Sequence, residues 1–174
     1  TNVAKQFLEL EIFLGVYNMK FSTKALALSA LTAIAVSAPV APAVAAGLDY
    51  NEETHLIFMR EEEKLARDVY LTFASMYPNT TTFQNIAETS EQTHTDTMRD
   101  KLVQFNVEDP NPDTNNLPAS LGVFTGETFG AYFTDKFNLL TNWGATSELD
   151  ALYAGAFIEE LDMHDIIQCP TVIV

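Results

Sequence analysis

The chain has 174 residues, with 24 Asp+Glu against 9 Lys+Arg and a formal charge of −15. Its length suggests one domain. The acidity argues against a nucleic-acid binder, which needs a basic face for phosphates, and against a protein held on anionic lipid by basic residues. At 47% hydrophobic the chain is too apolar to stay disordered. Its single cysteine, Cys169, rules out a disulfide framework or a cysteine-rich zinc site within one chain.

In chain order, residues 1–18 read as translation running in from upstream of a start-like Met19, and no function is assigned to them. Met19 is followed by Lys20 and Lys24, an apolar run over 25–36, and Ala43-Val44-Ala45. A short positive region, an apolar core and an A-x-A site predict a secretory signal peptide over 19–45. The run is well short of the ~20 residues that a membrane span needs. The expected product is an exported domain over 46–174, periplasmic or extracellular, with no membrane segment after cleavage. That part carries all but two of the acids and only six of the cations: Arg60, Lys64, Arg67, Arg99, Lys101 and Lys136.

A first helix is predicted over about 51–77, free of Gly and Pro, with Leu56, Met59, Ala66, Tyr70, Phe73 and Tyr77 on its inner stripe. Pro78-Asn79 ends it. A second helix is predicted over 82–106, with Phe83, Ile86, Met98, Leu102 and Phe105 inward. The Pro/Asn/Asp-rich stretch 109–118 reads as loop. Its Asp109-x-Asn111-x-Asp113 mimics half of a calcium loop, but Thr114 stands where glycine is needed and Ser120 where the closing Glu is needed. A shorter helix over 127–142, closed by Gly144, offers Phe129, Tyr132, Phe133, Phe137 and Leu140 for burial. A last helix starts at Thr146 or Ser147, where Ser147 and Asp150 form a capping-box-like pair. It runs to about Gln168, with Leu149, Leu152, Ala156, Met163 and Ile166 as its stripe. The class is all-α.

Extending these stripes through their gaps puts Glu63 at a core position of the first helix, Glu91 and His94 on the inner face of the second, and Glu159 on that of the last. Burying ionised carboxylates without partners costs several kcal/mol each. Arg67, one turn from Glu63, can serve one of them and not three. A shared metal ion compensates all together, and Glu-x-x-His sets an oxygen and a nitrogen one turn apart on one helical face. Oxygen-rich ligands with imidazole suit iron or manganese better than zinc or copper. Only helical phase singles out Glu63 from the run Glu61-Glu62-Glu63, which otherwise reads as solvent-facing, and a small phase error would turn Glu160 inward in place of Glu159. His55 is expected to face solvent, and His164 to form a polar flank with Asp162 and Asp165.

The segment Glu63-Lys64-Leu65-Ala66-Arg67-Asp68-Val69-Tyr70 resembles the first-helix motif of the ferritin-like superfamily, in which a ligand Glu precedes Ala by three and Tyr by seven. Glu91-Gln92-Thr93-His94 is similar to the second-helix Glu-x-x-His of rubrerythrin-type proteins. Residues from about 56 to 168 resemble a bacterial and archaeal domain-of-unknown-function family within that superfamily. The carrying stretches are Met59 to Tyr70, Gly122-Val123-Phe124-Thr125, and Gly155-Ala156-Phe157-Ile158-Glu159-Glu160-Leu161-Asp162. The resemblance implies an up-down four-helix bundle with a long crossover and a carboxylate-bridged di-iron centre. In that centre Glu63 is the first-helix ligand, Glu91 bridges, His94 is terminal and Glu159 is the third-helix ligand. Glu-Glu-Leu-Asp departs from the superfamily pattern, so Glu160 or Asp162 is an alternative to Glu159. The implied fourth helix, with a second His motif, would begin where the chain stops at Val174, and this chain is expected to lack it.

The function expected is therefore an exported metal-binding protein with a dinuclear iron or manganese centre, reacting with dioxygen or peroxide or oxidising iron. Homo-oligomerisation is left open. The alternatives are an acidic helical bundle with no specific metal site, and a partner-binding module built on the aromatic segment 124–143, most of whose rings are expected to be buried.

Overall fold

The computed structural model describes residues 47–167. Residues 1–46, where the upstream and signal segments fall, and residues 168–174, with Cys169, lie outside them. Every regular element among the described residues is helical: α1 (Tyr50–Met76), α2 (Thr81–Asn85), a π-helical turn (Ile86–Glu91), α3 (Gln92–Phe105), α4 (Gly130–Gly144) and α5 (Glu148–Ile167). The segments α2, π turn and α3 run on as one rod. None of the described helices is long and apolar enough to cross a membrane.

Helix ends follow local chemistry. Asp49 caps α1, its Oδ1 accepting from the N–H groups of Asn51 and Glu52, while the Asp49 N–H donates to Glu52 Oε2 at 2.8 Å. This reciprocal box satisfies N–H groups that the first turn leaves without helical partners. Asn106 closes α3 in the left-handed conformation (φ 57°), with Val107 N–H donating to the Leu102 carbonyl. Ser147 Oγ accepts from Asp150 N–H at 3.1 Å at the start of α5. α4 begins three residues later than expected and runs through Gly144 instead of stopping before it.

The central element is α1, which packs against every other helix. Its residues 58–70 are buried all the way round. On one side Phe58 meets Phe129 edge-on at 5.3 Å and Phe133 at 5.0 Å, and on another Phe73 meets Phe83 at 5.5 Å. Of the aromatic segment 124–143, Phe124, Phe129 and Phe133 are buried and Tyr132, Phe137 and Trp143 half-buried against this core.

Two expectations are corrected here. The run Glu61-Glu62-Glu63 does not face solvent: all three are buried, because a helix enclosed on every side has no wet face. The stripe of α5 is also different. Leu149, Leu152, Ala156, Met163 and Ile166 are exposed, and Ala151, Ala154, Gly155, Ile158 and Asp165 are buried. The cause is close approach. A Cβ at Gly155 would lie 2.9 Å from Tyr70 Cε1, and one at Gly144 would lie 2.2 Å from Phe73 Cε1 and 3.1 Å from Ala151 Cα. Only a face of small residues fits against α1 and α4, so the larger side chains of α5 turn outward.

Candidate metal centre

The rod α2–π–α3 presents Phe83, Ala87, Glu91 and Thr95 to the interior. Four-residue steps overshoot one α-helical turn by about 40° each, so three of them would carry a plain α-helix off its face. The wider π turn over Ile86–Glu91 absorbs that drift. Glu91, its last residue, therefore still points inward, with its carboxylate buried, while His94 one turn on sits at the edge with 45% of its side chain exposed.

Across from them, Glu63 projects from α1. His94 Nδ1 lies 3.3 Å from Glu63 Oε2 and 3.6 Å from Glu91 Oε2. One ligand atom from each of Glu63, Glu91 and His94 falls within 4.8 Å of the other two. Yet Glu63 Oε2 and Glu91 Oε1 are buried and make no hydrogen bond. The same holds for Glu62 Oε2 and Asp162 Oδ1 beside them.

The cations of α1 are committed elsewhere. Arg60 pairs with Asp109 at 2.9 Å and donates to the carbonyls of Thr95 and Asn111 and to Thr114 Oγ1. Lys64 pairs with Asp68, donates to the Ser120 carbonyl at 2.8 Å and lies over the Phe124 ring. Arg67 pairs with Asp68 at 2.7 Å and reaches Gln92 and Asn115. The expectation that Arg67 serves Glu63 is thus not met. Asp109 and Asn111, which mimic a calcium loop in sequence, instead clasp α1: Asp109 holds Arg60, and Asn111 Nδ2 donates to Glu61 Oε1 at 3.1 Å.

The electrostatic result is a group of carboxyls held well above their ordinary range. Glu63 is pushed up to about 9, first by burial and then by Asp162, Glu91 and Glu159. Glu91 is raised to about 7 by burial, Glu159 and Asp162, partly offset by a hydrogen bond from Ser90. Burial raises Asp162 to about 6, with His94 acting against it and Glu159 and Asp165 with it. Glu62 is raised by burial and by its neighbours Asp165 and Asp162. Glu61, on the loop side, rises to about 6 by burial, held back chiefly by Asn111.

Of the sequence-predicted ligands, Glu63, Glu91 and His94 come together. Glu159 stands to one side: it is exposed, and its Oε1 accepts the Tyr70 O–H at 2.7 Å. Glu160 is exposed. His55 is half-buried instead of facing open solvent, and His164 flanks Asp165 as expected. His55 Nε2 lies 2.9 Å from the Asp165 carbonyl, and His164 Nδ1 lies 2.8 Å from Asp165 Oδ1. Sequence reasoning missed the inward placement of Glu62 and Asp165 and offered Asp162 only as an alternative to Glu159. Reading α5 by its small residues Ala151, Ala154 and Gly155, with Ile158 one turn on, would have carried that face on to both aspartates.

The residues present fit a metal ion. Buried carboxylate oxygens without hydrogen bonds among the described residues, two helices contributing carboxylates and an imidazole nitrogen at the rim form a donor set suited to iron or manganese. The fold and this cluster define an all-helical protein with a buried acidic centre. By sequence the chain belongs to the family described as "Uncharacterized protein domain (DUF2202)", whose model matches residues 52–171. It is also 45% identical over 116 residues to "Uncharacterized protein MJ0754" of Methanocaldococcus jannaschii, a match spanning 67% of this chain and 57% of that protein. No solved structure matches the chain.

Proposed function

We propose that this chain is an exported protein of ferritin-like architecture whose buried cluster of Glu63, Glu91 and His94, completed by a donor from α5, holds iron or manganese. The observation that carries the reading is the set of buried carboxylate oxygens on α1, the π turn and α5 that accept no hydrogen bond, with no Lys or Arg paired to them among the described residues. Leaving such atoms desolvated and unpaired is costly, and a cation offsets the cost for all of them at once. The superfamily resemblance extends the reading to a dinuclear centre, which Glu63, Glu91 and His94 would help to hold.

A bound iron would supply one-electron redox chemistry with dioxygen or peroxide. The chain's own contribution is to hold the carboxyls rigidly on α1 and the π turn, keep solvent from Glu63 and Glu91, and leave the half-exposed His94 as the side open to small molecules. Loading competes with protons, because the raised carboxyls must ionise to bind metal. The test is metal analysis of the full chain after loading with Fe(II) or Mn(II) and desalting. Metal retained by the wild type and absent from Glu91→Ala/His94→Ala supports the reading. A wild type that retains none, and whose melting temperature ignores metal and chelator alike, identifies a plain acidic bundle instead.

A further inference from the structure

We propose that Asp162, not Glu159, is the α5 ligand of the centre, an inference that rests on the metal reading above. The two acids stand one turn apart on α5, and their surroundings differ. Glu159 is an exposed residue, hydrated and already hydrogen-bonded, its Oε1 taken by the Tyr70 hydroxyl at 2.7 Å. That contact is built into the helix packing. Tyr70 is buried beneath α5 at the one point where a glycine, Gly155, leaves room for its ring: a Cβ there would lie 2.9 Å from Cε1 and 3.0 Å from the hydroxyl oxygen. Glu159 is thereby tethered by a neutral donor and needs no cation.

Asp162 is the opposite case. Its Oδ1 is shut off from solvent and has no hydrogen-bond partner. Such an atom requires compensation, and among the described residues no hydrogen-bond donor supplies it. Asp162 and Glu159 both border the cluster: Asp162 leads the charges that act on Glu63 and Glu159 those that act on Glu91, while His94 is the first charge that acts on Asp162. Glu62 and Asp165 are also its electrostatic neighbours. The ligand set becomes three carboxylates, Glu63, Glu91 and Asp162, with His94 as the single nitrogen, a hard, oxygen-rich set that favours Mn(II) and Fe(II).

The test is calorimetric titration of Mn(II) into the full-length wild type, Asp162→Asn, Glu159→Gln and Tyr70→Phe, with metal-free melting curves for each. Expected are a loss of affinity of about tenfold or more in Asp162→Asn and a change of less than about threefold in the other two. The metal-free melting temperature of Asp162→Asn should be no lower than that of the wild type, since a like charge is removed. A tenfold loss in Glu159→Gln overturns the assignment, whether or not Asp162→Asn folds. So does unchanged affinity in Asp162→Asn while the wild type binds, which leaves the metal centre standing. A wild type that takes no Mn(II) or Fe(II) overturns both.

Discussion

Replacing Glu63 by Gln should make the metal-free protein more stable at neutral pH. In the unfolded chain this carboxyl titrates near 4.5, and in the fold burial and three neighbouring acids push it up to about 9. At pH 7 the folded chain therefore holds a proton that the unfolded chain has released. Holding it costs 1.36 kcal/mol for each pH unit above the unfolded value, or about 3 kcal/mol at pH 7. Gln keeps the shape, carries no charge, and its amide can donate to Glu91 or to His94 Nδ1. Urea unfolding in EDTA should show Glu63→Gln more stable than wild type by about 3 kcal/mol at pH 7 and by less than about 0.5 kcal/mol near pH 4.5, where the folded carboxyl is protonated and the unfolded one about half so. Added Mn(II) should stabilise the wild type by mass action and leave the variant unmoved. A variant less stable than wild type at pH 7, or a difference that does not change with pH, would refute the reasoning.

Three further outcomes follow from the same geometry. The metal-free wild type should lose stability as pH rises from 5 to 9. Glu63, Glu91 and Asp162 all have folded values above their unfolded ones, so their contribution is complete below the unfolded range and is lost as pH passes about 6, 7 and 9. Melting curves in EDTA that rise over this range would contradict it. Asp109→Ala removes the ion partner of the buried Arg60 and should cost about 3 kcal/mol in urea unfolding, with metal affinity of the folded fraction unchanged. Gly155→Ala drives a methyl group into the Tyr70 ring and should cost about 1–3 kcal/mol by thermal unfolding; a neutral result would mean that α5 does not pack this closely on α1.

Helix positions were legible because the punctuation is strong: Pro78-Asn79 after α1, Asn106 and the loop that follows α3, and Ser147 before α5. The pairing of Glu63 with Glu91 and His94 could also be read, since on α1 and the second rod large apolar residues set the phase. Amphipathic counting failed where large residues do not mark the buried face. On α5, the contacts of Gly155 with Tyr70 and of Ala151 with Gly144 depend on the absence of side-chain bulk, so the outward Leu149, Leu152, Met163 and Ile166 imitate a core stripe. That error favoured Glu159 and left Asp162 as an alternative only. The full enclosure of α1 was hidden as well, because Arg60, Lys64, Arg67 and Asp68 satisfy one another and the 109–126 loop through long-range pairs that no local pattern announces.

The claim that Glu63, Glu91 and His94 together hold a metal ion is tested most directly by titrating Mn(II) into the full chain and into Glu91→Ala/His94→Ala, both shown to be folded by circular dichroism. Saturable binding to the wild type, accompanied by proton release and a rise in melting temperature, with neither effect in the double variant, is the predicted result. Equal uptake by both proteins, or none by either, would contradict it.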